Sequence, residues 1–214
     1  EKRAKNVALV EHLDYGIGRV IEALKKSGQY ENTVIIFTSD NGGNLPSGAS
    51  NGKLRGGKQD MYEGGIKVPA CMVWEGTVKA GSVSDKFGLT MDFYPTICSI
   101  AGTSVLHTID GIDLLPGLFG KGEDGENHRI VYFMRREGGI YGGLCYYAAR
   151  KGAFKLVQNT PFEAFQLFNI ESDPYEEVPL DQKQFQEQFK ELKYGLSQHI
   201  RKAGAIPWEN NETK

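Results

Sequence analysis

The sequence lacks the features that mark several common classes of protein. Its three cysteines, Cys71, Cys98 and Cys145, are far apart, form no CxxC pair and are odd in number, so they define neither a zinc site nor a complete disulfide framework. Basic and acidic residues nearly balance, 25 against 27, so no overall field favours a nucleic acid. No apolar stretch approaches the roughly 20 residues of a membrane helix, and the N-terminus EKRAKN is not typical of a signal peptide. We therefore expect a globular protein with no nucleic acid and no membrane as partner, and any export signal would lie upstream.

The first half of the chain combines helix and strand patterns. Apolar residues recur at three- and four-residue spacing from Val10 to Leu24, as in an amphipathic helix, and the unbroken apolar run at 34–37 suits a parallel strand buried on both faces. Together the patterns predict a helix over about 3–27, strands within 32–40 and at 68–74, and a helix around 90–101 with Pro95 near its start. Two buried strands are too few for a covered parallel sheet. We therefore expect this half to be the last part of a larger α/β domain whose earlier strands are missing.

The second half has the pattern of a small α+β domain. A polar, glycine-containing break at 121–128, KGEDGENH, separates the two halves. Short aromatic and β-branched runs follow it and predict an antiparallel sheet: RIVYFM, LCYYAAR, AFKLVQ and FQLFNI. Apolar residues from Phe185 to Ile200 then recur at helical spacing, which predicts a closing helix packed on that sheet. The expected domains are residues 1–125 and residues 126–214.

The first predicted strand ends in an acid and an amide. In open α/β sheets the carboxyl ends of the strands face the ligand crevice, and Asp40 and Asn41 occupy that position. Carboxylate and amide oxygens are hard donors that suit calcium or magnesium. The same two residues are equally compatible with a turn that leads into Gly42 and Gly43. Position alone leaves the metal site and the turn open.

The connection between the two predicted strands, residues 41–67, is rich in glycine and long for a structureless loop, as functional or disordered segments often are. In its stretch LRGGKQDMYEGG, two glycine pairs flank Lys58 and let the backbone pass close to something small, while a lysine ammonium suits an oxyanion. The GxxxxGK[ST] spacing of a P-loop is absent. Solvated charges on a mobile loop are the alternative interpretation of Lys58 and its basic neighbours.

Five segments resemble, in order, those of a known family. They are NTVIIFTSDNGG, LRGGKQDMYEGGIKVPACMVWEG, TMDFYPTICSIAG, IDGIDLLPGLFG and QLFNIESDPYEE. Each is similar to a segment of the type I sulfatases of the alkaline phosphatase superfamily, above all of the arylsulfatase and N-acetylgalactosamine-6-sulfatase branch. The resemblance covers nearly the whole chain. It implies an α/β fold: the C-terminal portion of an alkaline-phosphatase-like sandwich, then a small α+β subdomain with an antiparallel sheet and a closing helix.

The resemblance also implies hydrolysis of sulfate esters, with a sulfated carbohydrate or small molecule as substrate, by a calcium-assisted formylglycine nucleophile. Asp40 and Asn41 would be two ligands of the Ca²⁺ ion, with Mg²⁺ as the other candidate. Lys58 would contact the sulfate oxygens during catalysis, and Glu63 with the two glycines after it would shape the loop. From the family we expect a secreted, periplasmic or lysosomal protein.

The sequence departs from the family at the nucleophile. The family makes its formylglycine from the cysteine or serine of a CxPxR-type motif, and no cysteine or serine of this chain begins one. The family's first pair of metal-binding aspartates and the histidines of its N-terminal half are also missing. The histidines that are present are expected to be structural or solvated: His12, His107, His128 and His199. We therefore expect the C-terminal part of a sulfatase, which needs an N-terminal sulfatase portion and is inactive alone.

Two other functions stay open. One is a phosphatase or phosphodiesterase of the same superfamily, although Asn41 argues against it because two-zinc enzymes commonly carry a histidine there, and imidazole suits zinc better than an amide does. The other is a non-catalytic anion- or glycan-binding fragment or pseudoenzyme, since the chain has half a metal site and no nucleophile. Arg55, and the RREGGIYGG loop with Arg135, Arg136 and Tyr141, are candidates for gripping a sulfated sugar or are exposed turn residues.

Overall fold

The computed structural model describes residues 1–119, 129–136 and 144–204. The chain divides into two compact units, Glu1–Asp40 with Val68–His128 and Asn41–Lys67 with Arg129–Lys214. Segment 41–67 thus belongs with the second unit and not with the elements on either side of it in the sequence. The break predicted at 121–128 lies outside the described residues, and the boundary near residue 125 stays a prediction. In the described part of the chain, no helix has both the length and the apolar character needed to cross a membrane.

The predicted helices and strands occur in the predicted order, together with two four-residue helices that the sequence patterns did not predict. The first unit contains α1 (Lys2–Lys26), β1 (Val34–Thr38), β2 (Ala70–Trp74), α3 (Phe93–Ile100) and α4 (Leu115–Leu118). The second unit contains the short helix α2 (Glu63–Ile66), then β3 (Val131–Arg136), β4 (Cys145–Lys151), β5 (Phe154–Gln158), β6 (Gln166–Asn169) and α5 (Gln186–Gly204). Pro95 lies in the first turn of α3, where the missing N–H of proline costs no helical hydrogen bond.

The prediction of a parallel, fully buried first strand is wrong. β1 pairs antiparallel with β2, in a register that runs from Val34 opposite Trp74 to Thr38 opposite Ala70. No residue of β1 is fully buried, and Phe37 is 40% exposed. An apolar run indicates that a strand has surface to bury, but it carries no information on the direction of the neighbouring strand. The two-stranded sheet formed by these described residues leaves part of that apolar surface uncovered.

The predicted antiparallel sheet of the second unit is confirmed. Its strands pair in the order β3-β4-β5-β6, each antiparallel to its neighbour. The predicted closing helix α5 packs on one face, where its Leu192 and Leu196 contact Ala149, Leu156 and Leu167 of the sheet. These five side chains are essentially inaccessible to solvent, so they form the core of this layer.

The opposite face of the same sheet is covered by segment 41–67. Met61 and Tyr62 pack against Ala148, Val157 and Phe168. Successive residues of a strand point to opposite faces of the sheet. Leu156 therefore packs against α5, and its neighbour Val157 packs against the loop. The sheet is therefore a middle layer between a helix and a glycine-rich loop, and the loop is part of the core.

We expect Leu192→Ala to lower the free energy of unfolding of the chain by about 3 kcal/mol, because it removes a fully buried side chain and leaves a cavity. Tyr194→Ala, on the exposed side of the same helix, should change it by no more than about 0.5 kcal/mol. Urea denaturation followed by circular dichroism measures both. Equal losses for the two variants would contradict the packing described here.

Candidate functional site

Segment 41–67, which carries Lys58, is folded back on itself by backbone hydrogen bonds. The N–H of Gly42 donates to the carbonyl of Gly65 at 2.8 Å, and the N–H of Lys58 donates to the carbonyl of Gly43 at 2.9 Å. The backbone of Lys58 therefore lies beside the residues that directly follow Asp40 and Asn41 in the chain.

Glycine is required where the backbone segments of this loop touch. A Cβ on Gly42 would stand 1.8 Å from the carbonyl oxygen of Gly64, and a Cβ on Gly65 would stand 2.1 Å from the carbonyl oxygen of Asp60. Separations this short do not occur between real atoms, so no other residue fits at either position. The close approach predicted for the glycine pairs is, in these contacts, an approach of the loop to itself.

Lys58 has an exposed side chain, and its ammonium makes no hydrogen bond or ion pair with any residue in the described ranges. The residue after it, Gln59, has φ +90°, a left-handed conformation that is rare for a residue with a side chain. Arg135 Nη1 donates a 2.9 Å hydrogen bond to the carbonyl of Gln59. Arg135, one of the candidates for gripping a sugar, therefore holds the backbone next to Lys58. Arg136 is exposed at the end of β3, and Tyr141 lies outside the described residues.

Arg55 binds the protein itself. Its Nη1 donates to the carbonyl of Glu176 at 2.8 Å, and its guanidinium stacks over the ring of Tyr62 at 3.8 Å from the centroid. A guanidinium carries five N–H donors, and the side chain remains largely exposed. Arg55 thus tethers the loop by one of its donors.

The two predicted metal ligands are consecutive in the chain and are assigned to different compact units. Asp40 is the last residue of the first unit and is exposed, and Asn41 is the first residue of the second unit and is half-buried. Their carboxylate and amide oxygens suit a hard cation, which takes six to eight oxygens when it is Ca²⁺. Within residues 1–119, 129–136 and 144–204, no three His, Cys, Asp or Glu side chains gather closely enough to hold a metal ion. The two oxygen donors are chemically suited to a hard cation, and they are fewer than the ligands that Ca²⁺ takes.

Beneath the loop lies a group of three buried charges that the sequence analysis missed. Lys155 of β5 is fully buried, and its ammonium lies 2.7 Å from Glu63 Oε1 and 2.8 Å from Glu176 Oε1. Glu176 Oε2 also accepts a 2.6 Å hydrogen bond from the N–H of Glu63. Burial raises the pKa of the Glu176 carboxyl, and the Lys155 ammonium opposes that rise. The only sequence signal was a lysine within an apolar strand, FKLVQ, and the two partners gave no periodic pattern.

A tight turn presents Glu176 to this group. The Asp173 carboxylate accepts hydrogen bonds from the N–H groups of Glu177 and Val178, at 3.1 and 3.0 Å, and Glu176 itself has φ +56°. Burial alone would raise the pKa of Asp173, but hydrogen bonds from the backbone of residues 175–178 outweigh it and lower the pKa. The SDPYEE motif is therefore a turn that directs one glutamate into the protein.

Asn159 adds a further tether between loop and sheet. Its Oδ1 accepts a 2.6 Å hydrogen bond from the N–H of Met61, and its Nδ2 donates to Asp60 Oδ1 at 2.9 Å. Asp60 Oδ2 in turn accepts from the N–H of Gly57, so the tether reaches the residue next to Lys58.

The described histidines and cysteines have surroundings of their own. His107 contacts the ring of Tyr94, His199 stacks on Tyr132 at 4.3 Å, and His12 is exposed on α1. The three cysteines are free thiols. His128 lies outside the described residues.

Comparison with known proteins places these features in a family. The family model described as Sulfatase matches residues 1–103, and the model described as N-sulphoglucosamine sulphohydrolase, C-terminal, matches residues 57–202. The N-acetylgalactosamine-6-sulfatase of Canis lupus familiaris is 41% identical over 117 residues, which are 52% of this chain and 22% of that protein. The chain spans less than a quarter of the length of the curated relatives it matches.

Two solved structures extend the similarity to the fold. The crystal structure of Ps i-CgsB is 30% identical, with a TM-score of 0.81 over 99% of this chain and 44% of that one. BT4656, solved in complex with its substrate D-glucosamine-2-N,6-O-disulfate, is 26% identical with a TM-score of 0.71, over 94% of this chain and 41% of that one. The fold and the predicted relationship are thereby confirmed, and since one family model alone covers more than half of the chain, this protein belongs to the sulfatase family.

Proposed function

We propose that this chain is part of a sulfatase that hydrolyses sulfate esters of a carbohydrate, with Lys58 as the residue that holds the sulfate. The observation that carries the proposal is the exposed Lys58 ammonium, which has no partner among the described residues. It stands on a loop that is tied to Glu176 on both sides of Lys58. An ammonium is a point charge suited to an oxyanion, and its firm backbone keeps it in place for that task. The dog relative is named for a sulfated sugar, and BT4656 was solved with one, which supports the substrate class.

Lys58 would act on the oxygens of the sulfate that do not join the sugar. Their negative charge shifts toward the leaving alkoxide as the ester bond breaks, and a fixed ammonium lowers the free energy of that charged state. Arg55 lies three residues before Lys58 and has donors left over for the same substrate. The formylglycine nucleophile would come from an N-terminal sulfatase portion, because no motif of this chain can supply it.

Asp40 and Asn41 would hold a Ca²⁺ ion through their side-chain oxygens, and Mg²⁺ is the alternative hard cation. When bound, the cation would supply positive charge beside the sulfate and the nucleophile. The remaining ligands would come from the N-terminal portion. From the family we also propose a secreted, periplasmic or lysosomal location.

We expect Lys58→Ala in the complete enzyme to lower kcat/KM by about two to three orders of magnitude, because oxyanion stabilisers contribute a few kcal/mol in the transition state. The measurement is hydrolysis of 4-methylumbelliferyl sulfate or of a sulfated monosaccharide. Lys67→Ala, which removes another exposed lysine of the same segment, is the matched control and should leave the rate within twofold of the parent. Activity of the Lys58 variant within threefold of the parent would sink the assignment.

The same assay with the phosphate ester separates the sulfatase from its phosphatase rival. We expect the parent enzyme to prefer the sulfate ester, and a preference for the phosphate ester would favour the rival. Absence of both activities, in a protein whose N-terminal portion has no CxPxR motif, would favour the non-catalytic module.

For the metal, we expect this chain alone to bind calcium weakly at best, because two ligands are a fraction of the shell that Ca²⁺ requires. Isothermal titration calorimetry on the chain and on its Asp40→Ala variant measures this. Micromolar binding that disappears in the variant would contradict a half site.

A further inference from the structure

We infer that Glu176 and Lys155 are positioning residues for Lys58: through Glu63 and Arg55 they fix the backbone segment that carries it. The inference rests on the proposed function of Lys58. None of the three buried charges needs to touch substrate for this role. Their effect would be to restrict the loop to one conformation, and so to set where the Lys58 ammonium lies.

Glu176 holds the loop at two points on either side of Lys58. Its carbonyl accepts from Arg55, three residues before Lys58, and its Oε2 accepts from the N–H of Glu63, five residues after it. The left-handed backbone of Glu176, fixed by the Asp173 turn, lets both of its groups face the same segment. One residue therefore clamps both ends of the stretch 55–63.

Lys155 disfavours other conformations of the loop. Its ammonium is entirely buried, and among the described residues it pairs with the carboxylates of Glu63 and Glu176. If the loop shifted while it still covered this face of the sheet, Lys155 and Glu176 would lose a partner inside the protein, and an unpaired buried charge is strongly unfavourable. Alternative loop conformations are thereby disfavoured.

Stability alone does not explain a buried ion cluster at this place. A buried ion pair is often no more stabilising than apolar residues of similar volume, whereas its directional contacts can specify one arrangement. The cluster lies on the loop face of the sheet, while the face under α5 is packed with apolar side chains. We therefore connect the charges with the position of the loop, and the prediction is that loop order and stability can be separated.

The test compares Glu176→Gln with a triple variant, Glu63→Gln, Lys155→Met and Glu176→Gln, which removes the three charges of this group together. The matched control is Glu177→Gln, the same change at the exposed neighbouring residue. Hydrogen exchange is measured in this chain at Lys58, Gly64 and Gly65, whose N–H groups bond within the loop. kcat/KM and Tm are measured in the complete enzyme.

We expect exchange at the three loop amides to rise at least tenfold in Glu176→Gln, with the amides of β4 and β5 unchanged, and kcat/KM to fall 10- to 100-fold. In the triple variant Tm should return close to the parent value while loop exchange stays fast and activity stays low. Glu177→Gln should match the parent throughout.

Two results would overturn the inference: parental loop exchange in both variants, or a triple variant that regains activity within threefold together with Tm. If the triple variant does not regain Tm, the result for Glu176→Gln decides. Faster exchange in the loop alone supports the inference, and an equal rise in loop and sheet contradicts it because it means a general loss of stability. A failure of the proposed function is distinguishable, because Lys58→Ala would then retain activity while the exchange result still stands or falls by itself.

Discussion

The second unit depends on the pairing of one buried ammonium with two carboxylates. Lys155 lies on β5, an inner strand of the sheet, on the face that the glycine-rich loop covers. Its ammonium forms ion pairs with Glu63 from the loop and with Glu176 from a distant turn. A charge in that position has a low free energy only when both partners are in place. The sheet, the loop and the turn are therefore coupled through a single side chain.

The architecture around this pairing explains why the loop is rich in glycine. A four-stranded sheet has two faces to cover, and here α5 covers one while Met61 and Tyr62 of the loop cover the other. A segment with few helical turns can form such a layer only by stacking its backbone closely, as Gly42 and Gly65 do. The composition that resembles a mobile linker thus belongs to a packed layer.

The structure also distinguishes among the cations near this loop. Arg55 of the loop donates a hydrogen bond to the carbonyl of Glu176, and Arg135 of β3 donates one to the carbonyl of Gln59 in the loop. Both arginines therefore hold the loop in place. Lys58 stands between these two tethers in the sequence and keeps an exposed ammonium. This division of roles agrees with the proposed function, in which Lys58 binds the sulfate and the two arginines hold the loop that carries it.

Local patterns in the sequence determined the elements. Helical spacing predicted α1 and α5, short aromatic and β-branched runs separated by turns predicted the four-stranded sheet, and five ordered motifs predicted the family. These features are set by residues close together in the chain. The tertiary structure alone decided the antiparallel pairing of β1 and the Glu63–Lys155–Glu176 group. In that group, Glu63 lies 92 positions from Lys155 and 113 positions from Glu176 in the sequence. No periodicity records such a contact, since a lysine within a strand looks the same in sequence whether it meets water or two buried carboxylates.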